Sequence, residues 1–197
     1  MVEMKIDIRS LSEDQIIEFF EKKGFDSYRG RQVYEWIWKK SSYSFDEMTN
    51  ISKDLRDVLD NHFVINHIQV DKIQKSSDGT IKNAVKLHDD HTVESVLIPT
   101  DDRTTACVSS QVGCSLDCRF CATSKLKRMR NLNPDEIYDQ VVTINKQSLK
   151  YFNRPLSNIV YMGMGEPLMN YNNLIKSIEK ISSDKGLNMS QKRIVVS

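Results

Sequence analysis

The first 64 residues place apolar side chains at helical spacing. Ser12 with Gln15 is typical of a capping box, Ile16 and Phe20 lie in the apolar stripe that follows, and Gly24 stands where a left-handed residue would end the helix. Two further stripes predict a second helix and, after a candidate N-cap at Ser52, a third: Val33, Trp36 and Ile37, then Leu55, Val58, Leu59 and Phe63. Three short amphipathic helices of this kind predict a small helical accessory domain over residues 1–64.

From residue 65 to residue 100 the apolar period changes to two. Ile81 to Leu87 and Thr92 to Pro99 flank a short polar segment, which predicts a β-hairpin that connects the helical domain to the rest of the chain. Glu94 shares a strand face with Val96 and Ile98. A carboxylate among apolar neighbours is either a solvent-facing residue of an edge strand or a functional group, and the pattern leaves both readings open.

The segment 101–197 alternates strand and helix. Strands are predicted at Ala106 to Ser110, Asn158 to Pro167 and Lys192 to Ser197, and two amphipathic helices connect them, the first starting at Asn133 and Pro134. Crossover helices between strands predict a parallel sheet in an α/β barrel or an open doubly wound fold. Three parallel strands leave an exposed edge that a stable domain normally covers, so we expect the chain to be the front part of something longer.

Composition indicates an ordinary folded protein. With 39% hydrophobic and 28% charged residues the chain can bury one or two cores, and a net charge of +1 does not by itself indicate a nucleic-acid partner. Neither a signal-peptide run nor a stretch of about 20 apolar residues is present in the sequence, so we expect a cytoplasmic protein without a membrane partner.

All four cysteines lie between Cys107 and Cys121. In a reducing compartment such a cluster predicts metal ligands rather than disulfides. Cys114, Cys118 and Cys121 form C-x3-C-x2-C in the loop after a strand, where α/β proteins place their functional groups. Three thiolates bind either zinc with a fourth ligand, which Cys107 could supply, or three irons of a [4Fe-4S] cluster, and spacing alone leaves both metals open.

A second motif follows one crossover later. Met162 to Pro167 reads MGMGEP at the predicted end of the next strand. Glycine allows a backbone to approach a ligand closely, and the carboxylate of Glu166 complements an ammonium group. A glycine turn at the end of a strand is common, and its position beside the cysteine loop makes it specific.

Together these segments resemble a known family. CVSSQVGCSLDCRFCATS, VYMGMGEPLMNYNN and the terminal KRIVVS, with FDSYRGRQVYEWIW in the helical opening, are similar to the radical SAM methyltransferases that modify carbon 2 of adenine in 23S ribosomal RNA and transfer RNA. The resemblance implies a partial radical SAM (β/α) barrel behind the accessory domain. It implies a [4Fe-4S] cluster and S-adenosylmethionine as cofactors, because carbon 2 of adenine is not nucleophilic and needs radical chemistry.

The resemblance also implies roles for particular residues. In the family a cysteine near the C-terminus carries the methyl group, one S-adenosylmethionine methylates it, and a second yields the radical that activates it. The positions that match the cluster ligands are Cys114, Cys118 and Cys121, and those that match the amino-group contacts are Gly165 and Glu166. Ser197 matches a further cofactor contact. Cys107 matches a cysteine that helps to resolve the protein–RNA adduct, and Glu94 matches a proton acceptor.

An RNA partner has a local signal as well. Five basic residues and no acidic one lie beside the cysteine loop, where they could hold phosphates or form only a solvated face: Arg119, Lys125, Lys127, Arg128 and Arg130. The resemblance favours 23S rRNA and tRNA as partners, with an electron donor such as flavodoxin and a monomeric complete protein.

Two other functions stay open. A related radical SAM enzyme methylates carbon 8 of adenine, and no residue rule in this sequence separates the two. A zinc-stabilised RNA-binding module without chemistry is the alternative from another class. Because no cysteine follows Cys121, the methyl carrier of the family is absent from this chain, and we expect it to be inactive on its own.

Overall fold

The computed structural model describes residues 5–197, which form two compact units. One unit comprises the residues up to Asn66 together with Ser183–Asn188, and the other comprises His67–Ser182 with Met189–Ser197. The predicted connector is therefore grouped with the segment that follows it rather than standing apart. In the part of the chain that the structure describes, no helix is long and apolar enough to cross a bilayer.

The first unit contains the three predicted helices and a small parallel sheet. They are α1 (Glu13–Lys22), α2 (Ser27–Trp38), α3 (Lys53–His62), and the strands β1 (Ile6–Asp7) and β2 (Phe63–Val64). The capping box between Ser12 and Gln15 is present, and Gly24 has φ 81°, so both end signals of α1 are confirmed. Phe63 differs from the prediction, because it leaves the helix and pairs with Ile6 in the sheet.

The second unit is built on a six-stranded mixed sheet. Its strands are β3 (Gln69–Lys75), β4 (Ile81–Lys86), β5 (Thr92–Pro99), β6 (Thr104–Cys107), β9 (Asn158–Tyr161) and β10 (Ile194–Val196), in the order β10-β9-β6-β5-β4-β3. The strands β6, β9 and β10 are parallel and the others pair antiparallel, which confirms the predicted α/β fold and hairpin. The partial barrel thus begins with antiparallel strands that belong to the same sheet.

Two helices cover one face of this sheet. They are α4 (Pro134–Phe152) and α5 (Tyr171–Ser182). Asn83 of β4 and Gln147 of α4 exchange two hydrogen bonds of 3.0 and 2.7 Å, and the Tyr161 hydroxyl lies 2.8 Å from that of Ser177 on α5. Buried apolar residues in register across five strands fill this side: Ile81, Leu97, Ala106 and Ile159, with half-buried Ile194 at the end.

The opposite face carries no helix of the second unit, and we call it the open face. One row in register crosses it from β4 to β10: Lys82, Val96, Cys107, Val160 and Val195. Each of these residues is half-buried or exposed. Because side chains alternate along a strand, Glu94, two residues before Val96, lies on this face too.

A short hairpin completes the unit beside the ends of β6 and β9. Its strands β7 (Gln111–Val112) and β8 (Arg130–Asn131) pair antiparallel, Gln111 with Asn131 and Val112 with Arg130. The cysteine-containing segment 113–129 is the long connection between them, so a small strand pair forms its base.

Candidate cofactor site

The two motifs of the sequence meet at the carboxyl ends of β6 and β9. The N–H of Gly163 donates to the carbonyl of Val108 at 3.0 Å, and the N–H groups of Ser110 and Gln111 donate to the carbonyl of Met164 at 2.9 and 3.1 Å. The segment after β6 and the MGMGEP segment therefore continue as a hydrogen-bonded pair beyond the sheet. This is the edge at which parallel α/β sheets bind their ligands.

The close pairing of these segments explains both glycines of the second motif. A Cβ on Gly163 would lie 2.7 Å from the Oγ of Ser109 and from the carbonyl oxygen of Val108. Gly165 has φ 93°, and a Cβ there would lie 2.6 Å from the Cγ of Gln111 and closer still to its Cβ. Neither position has room for a side chain, and the second also has a backbone conformation that favours glycine.

Glu166 follows this turn and is half-buried. Its backbone N–H donates to the Oε1 of Gln111 at 2.9 Å, and its own carboxylate accepts the N–H of Leu168 at 3.0 Å. The remaining acceptor positions of the carboxylate are available for a cation such as an ammonium group. Ser197 lies just after β10, the strand next to β9, and is exposed.

The three cysteines of the C-x3-C-x2-C motif lie in an open loop, which we call the cysteine loop (residues 113–129). Cys114, Cys118 and Cys121 are free thiols and half-buried, whereas the neighbouring Phe120 is 94% exposed. N–H groups of the following turn, first that of Thr123, donate to the Cys121 sulfur and hold the pKa of that thiol below its usual value.

The cysteine loop is held by only a few backbone hydrogen bonds. Cys114 donates to the carbonyl of Leu126 at 3.2 Å, and Cys121 donates to that of Cys118 at 3.0 Å. Among residues 5–197, no group of three or more His, Cys, Asp or Glu side chains is gathered closely enough to bind a metal ion. The loop thus carries three thiols, the ligand type that zinc and iron–sulfur clusters take, on a backbone with few hydrogen bonds.

Cys107 and Glu94 lie together on the open face. Cys107 pairs in register with Val96, and Glu94 is two residues from Val96, so the two predicted site residues are diagonal neighbours. Burial raises the pKa of the Cys107 thiol, which keeps it protonated near neutral pH. The Glu94 carboxylate lies 2.9 Å from the Nζ of Lys82 on the neighbouring strand, and both side chains are about half exposed.

Four of the five predicted phosphate contacts are exposed on the cysteine loop, but Arg130 is not like the others. Arg119, Lys125, Lys127 and Arg128 are exposed. The guanidinium of Arg130 donates to Asp89 at 2.6 Å and makes a bidentate pair with Glu136, with both distances 2.8 Å. Hydrogen bonding from Arg130 holds the pKa of Asp89 well below its usual range.

Arg130 therefore joins three separate elements at the base of the cysteine loop. Asp89 belongs to the turn between β4 and β5, and Glu136 is in the first turn of α4, where it also accepts the N–H of Asn133 at 2.8 Å. The Glu136 side chain is only 3% exposed. With three of its donors used in this way, the guanidinium has a structural role that the four exposed basic side chains of the loop do not share.

Sequence reasoning missed the buried amides that connect the motifs. Gln111 is fully buried between the two segments, and Gln140 of α4 accepts the N–H of Ser109 at 2.9 Å and donates to its carbonyl at 3.2 Å. A polar residue between a buried strand and the first cysteine of the C-x3-C-x2-C motif was the available signal for Gln111. Its contacts are to residues 20 and 55 positions away, which no local pattern specifies.

Comparisons with known proteins agree with this arrangement. Residues 6–65 match the family model described as ribosomal RNA large subunit methyltransferase N-terminal domain, and residues 108–197 match that of the radical SAM superfamily. A crystal structure of a radical SAM methyltransferase from Sphaerobacter thermophilus superposes with a TM-score of 0.85 at 34% identity, over 97% of this chain and 56% of that one.

Three curated relatives are similar to nearly the whole of this chain. A probable dual-specificity RNA methyltransferase RlmN of Christiangramia forsetii is 70% identical over 98% of this chain and 55% of its own length. A protein of the same description in Flavobacterium psychrophilum is 67% identical, over 98% and 56%. The dual-specificity RNA methyltransferase RlmN of Desulfotalea psychrophila is 41% identical, over 98% and 55%. The chain spans about half the length of the curated relatives it matches.

Proposed function

The chain belongs to the RlmN family of radical SAM methyltransferases, and we propose that its protein methylates carbon 2 of adenine in 23S rRNA and tRNA, using S-adenosylmethionine and a [4Fe-4S] cluster. One observation carries the proposal. The cysteine loop and the glycine–glutamate turn are each the expected half of one cofactor site and follow adjacent parallel strands. Residues 108–111, which lead into the cysteine loop, are hydrogen-bonded to the turn. We expect the protein to act in the cytoplasm as a monomer, with an electron donor such as flavodoxin.

Each side of the site has its own task in this proposal. Cys114, Cys118 and Cys121 would hold three irons of the cluster and leave the fourth open for the cofactor, and the chemistry that the bound cluster would supply is one-electron reduction. Gly165 and Glu166 hold the amino group of S-adenosylmethionine, because the backbone can approach it and the carboxylate can accept from it. Ser197, after the next parallel strand, provides a further contact.

The open face is where we propose that the adenine reacts. The resemblance implies that Cys107 helps to resolve the protein–RNA adduct and that Glu94 beside it accepts the proton from the base. Because burial keeps the Cys107 thiol protonated, it would have to lose its proton before its sulfur could attack. For that step the Glu94 carboxylate must be released from Lys82, which an exposed ion pair allows at little cost. The exposed residues of the cysteine loop that we propose to bind RNA phosphates are Arg119, Lys125, Lys127 and Arg128.

The four cysteines of this chain all have other proposed roles. The methyl-carrying cysteine that the family implies is therefore not among residues 1–197. We propose that the chain on its own binds the cluster and S-adenosylmethionine without methylating RNA. Methyl transfer to an rRNA fragment by the 197-residue chain would contradict this.

The metal distinguishes this function from a zinc-stabilised module. The protein is reconstituted with iron and sulfide without oxygen, reduced, and its electron paramagnetic resonance spectrum recorded with and without S-adenosylmethionine. We expect a [4Fe-4S] signal that changes with the cofactor, is lost in Cys118→Ala and is retained in the matched control Cys107→Ala. A colourless protein with one tightly bound zinc that both substitutions release would overturn the proposal.

A further inference from the structure

We propose that Gln111 is the positioning residue that holds the Glu166 turn ready for the amino group of S-adenosylmethionine. The inference rests on the proposed function, since it assigns to Glu166 that contact. Gln111 does not touch the cofactor in this role. It acts through the backbone of residues 164–166 and through Asn131 at the end of the cysteine loop.

The side chain of Gln111 is the middle of a continuous hydrogen-bond chain. The Glu166 N–H donates to the Gln111 Oε1 at 2.9 Å, the Gln111 Nε2 donates to the Asn131 Oδ1 at 2.8 Å, and the Asn131 Nδ2 donates to the carbonyl of Met169 at 3.2 Å. Gln111 itself is fully buried. A buried amide with both ends bonded is costly to remove, because its partners, the Glu166 N–H and the Asn131 oxygen, lose a hydrogen bond where little water can replace it.

Backbone groups at both ends fix the donor-to-acceptor direction of this series of hydrogen bonds. It begins at an N–H, which can only donate, and ends at a carbonyl, which can only accept. Both amides between them therefore have a single orientation that satisfies every bond. Replacing Gln111 by glutamate would put a carboxylate against the Asn131 oxygen, and turning the Asn131 amide over would then leave the Met169 carbonyl facing an oxygen.

Packing provides a second, independent link to the turn. The stem of Gln111 lies directly against Gly165, where a Cβ would meet its Cβ and Cγ. The backbone N–H of Gln111 also donates to the Met164 carbonyl at 3.1 Å. One residue thus contacts three consecutive residues of the turn, by backbone, stem and amide in succession.

The same chain of hydrogen bonds couples the cysteine loop to the Glu166 turn. Asn131 lies in β8, directly after the cysteine loop, and Gln111 lies in β7, directly before it. A displacement of the loop base is therefore transmitted to the Glu166 backbone through two amides. We infer that Gln111 sets the distance between the cluster side and the amino-group side, which a cofactor spanning both requires.

The test compares two buried glutamines in the full protein. Gln111→Met removes the amide at the site, and Gln147→Met removes a buried amide that pairs with Asn83 on the helix-covered face. Affinities of the cluster-loaded proteins are measured for S-adenosylmethionine and for 5′-methylthioadenosine, which lacks the amino acid moiety. We expect Gln111→Met to lower the affinity for S-adenosylmethionine by about tenfold. It should leave the affinity for methylthioadenosine unchanged, and Gln147→Met should change neither affinity.

Amide hydrogen exchange in the metal-free protein gives a readout that needs no cofactor. Gln111→Met should accelerate exchange at Glu166, whereas Gln147→Met should not, and Gln111→Glu should retain protection at Glu166 because an acceptor remains there. Wild-type protein that binds no S-adenosylmethionine would defeat the proposed function. The inference alone would be defeated if Gln111→Met bound S-adenosylmethionine as tightly as the wild type does. It would also be defeated if Gln111→Met lost affinity for S-adenosylmethionine and methylthioadenosine equally.

Discussion

The two sides of the site are held in opposite ways. The turn at Gly163 to Glu166 is packed against Val108 to Gln111 with little room between the backbones, and buried amides bond both segments. The cysteine loop has mostly exposed side chains and few backbone hydrogen bonds, and its three thiols are half-buried. Under the proposed function, the tightly packed side would hold the amino group of S-adenosylmethionine, and the less tightly held side would bind the iron–sulfur cluster.

This difference follows from what each ligand can contribute. Thiolate–iron bonds are strong enough to order a loop, so the loop need not be ordered in advance. A single ammonium contact is weak, and its energy would be lost in ordering a flexible turn. Preorganisation is therefore expected where the ligand cannot supply the ordering energy itself. Four substitutions or conditions, taken from the largest effect to the smallest, test this contrast.

The largest effect is expected at Gly165. In Gly165→Ala the positive φ and the overlap with Gln111 together should lower the free energy of unfolding by about 4 kcal/mol. Gly79→Ala is the matched control, since Gly79 has φ 86° but its nearest neighbour would be 3.2 Å away. The control should lose about 1 kcal/mol. Urea denaturation measures both, and equal losses would show that packing at the turn is not tight.

Arg130 comes next, because it anchors the end of the loop. Arg130→Met leaves the Glu136 carboxylate buried without its bidentate partner and should cost about 3 kcal/mol. Arg128→Met, at an exposed position of the same loop, should stay within about 0.5 kcal/mol of the wild type. Similar unfolding midpoints for the two variants would contradict the anchoring role.

The Arg130 contribution should also depend on pH in one direction. Arg130 lowers the pKa of Asp89 in the folded protein, so this pair stabilises the fold above the ordinary aspartate pKa of about 4 and loses its effect as the pH falls below it. The stability difference between the wild type and Arg130→Met should therefore narrow during acid titration. Denaturation at a series of pH values measures it, and a difference that widens toward low pH would exclude the mechanism.

The smallest effect is expected for the three cysteines that we propose as cluster ligands. Replacing Cys114, Cys118 and Cys121 by serine should change the stability of the metal-free protein by no more than about 0.5 kcal/mol, because the thiols are only half-buried and a serine hydroxyl can accept the N–H groups that the Cys121 sulfur accepts. The same variant should bind no iron–sulfur cluster. A large loss of metal-free stability would mean that the cysteine loop is preorganised like the turn.

Local signals predicted most of the elements correctly. The capping box at Ser12, the left-handed Gly24 and the alternation in Ile81 to Pro99 act over a few residues, and each appears as expected. Strand β3 was missed because Gln69 to Lys75 is exposed throughout, so burial imposes no alternation on it. Phe63 was placed in a helix because its apolar spacing fits either element, and only its pairing with Ile6 selects the strand.

The site, too, has features that local sequence predicts and features that it does not. The sequence by itself determined which groups are present, because a motif such as C-x3-C-x2-C or MGMGEP is a local property of the chain. Tertiary structure alone decided that Arg130 lies between two carboxylates, that Glu94 and Cys107 share the open face, and that Gln111 reaches Glu166. Those relations depend on strand register and on partners far along the chain, and their energies exist only once the sheet has brought them into contact.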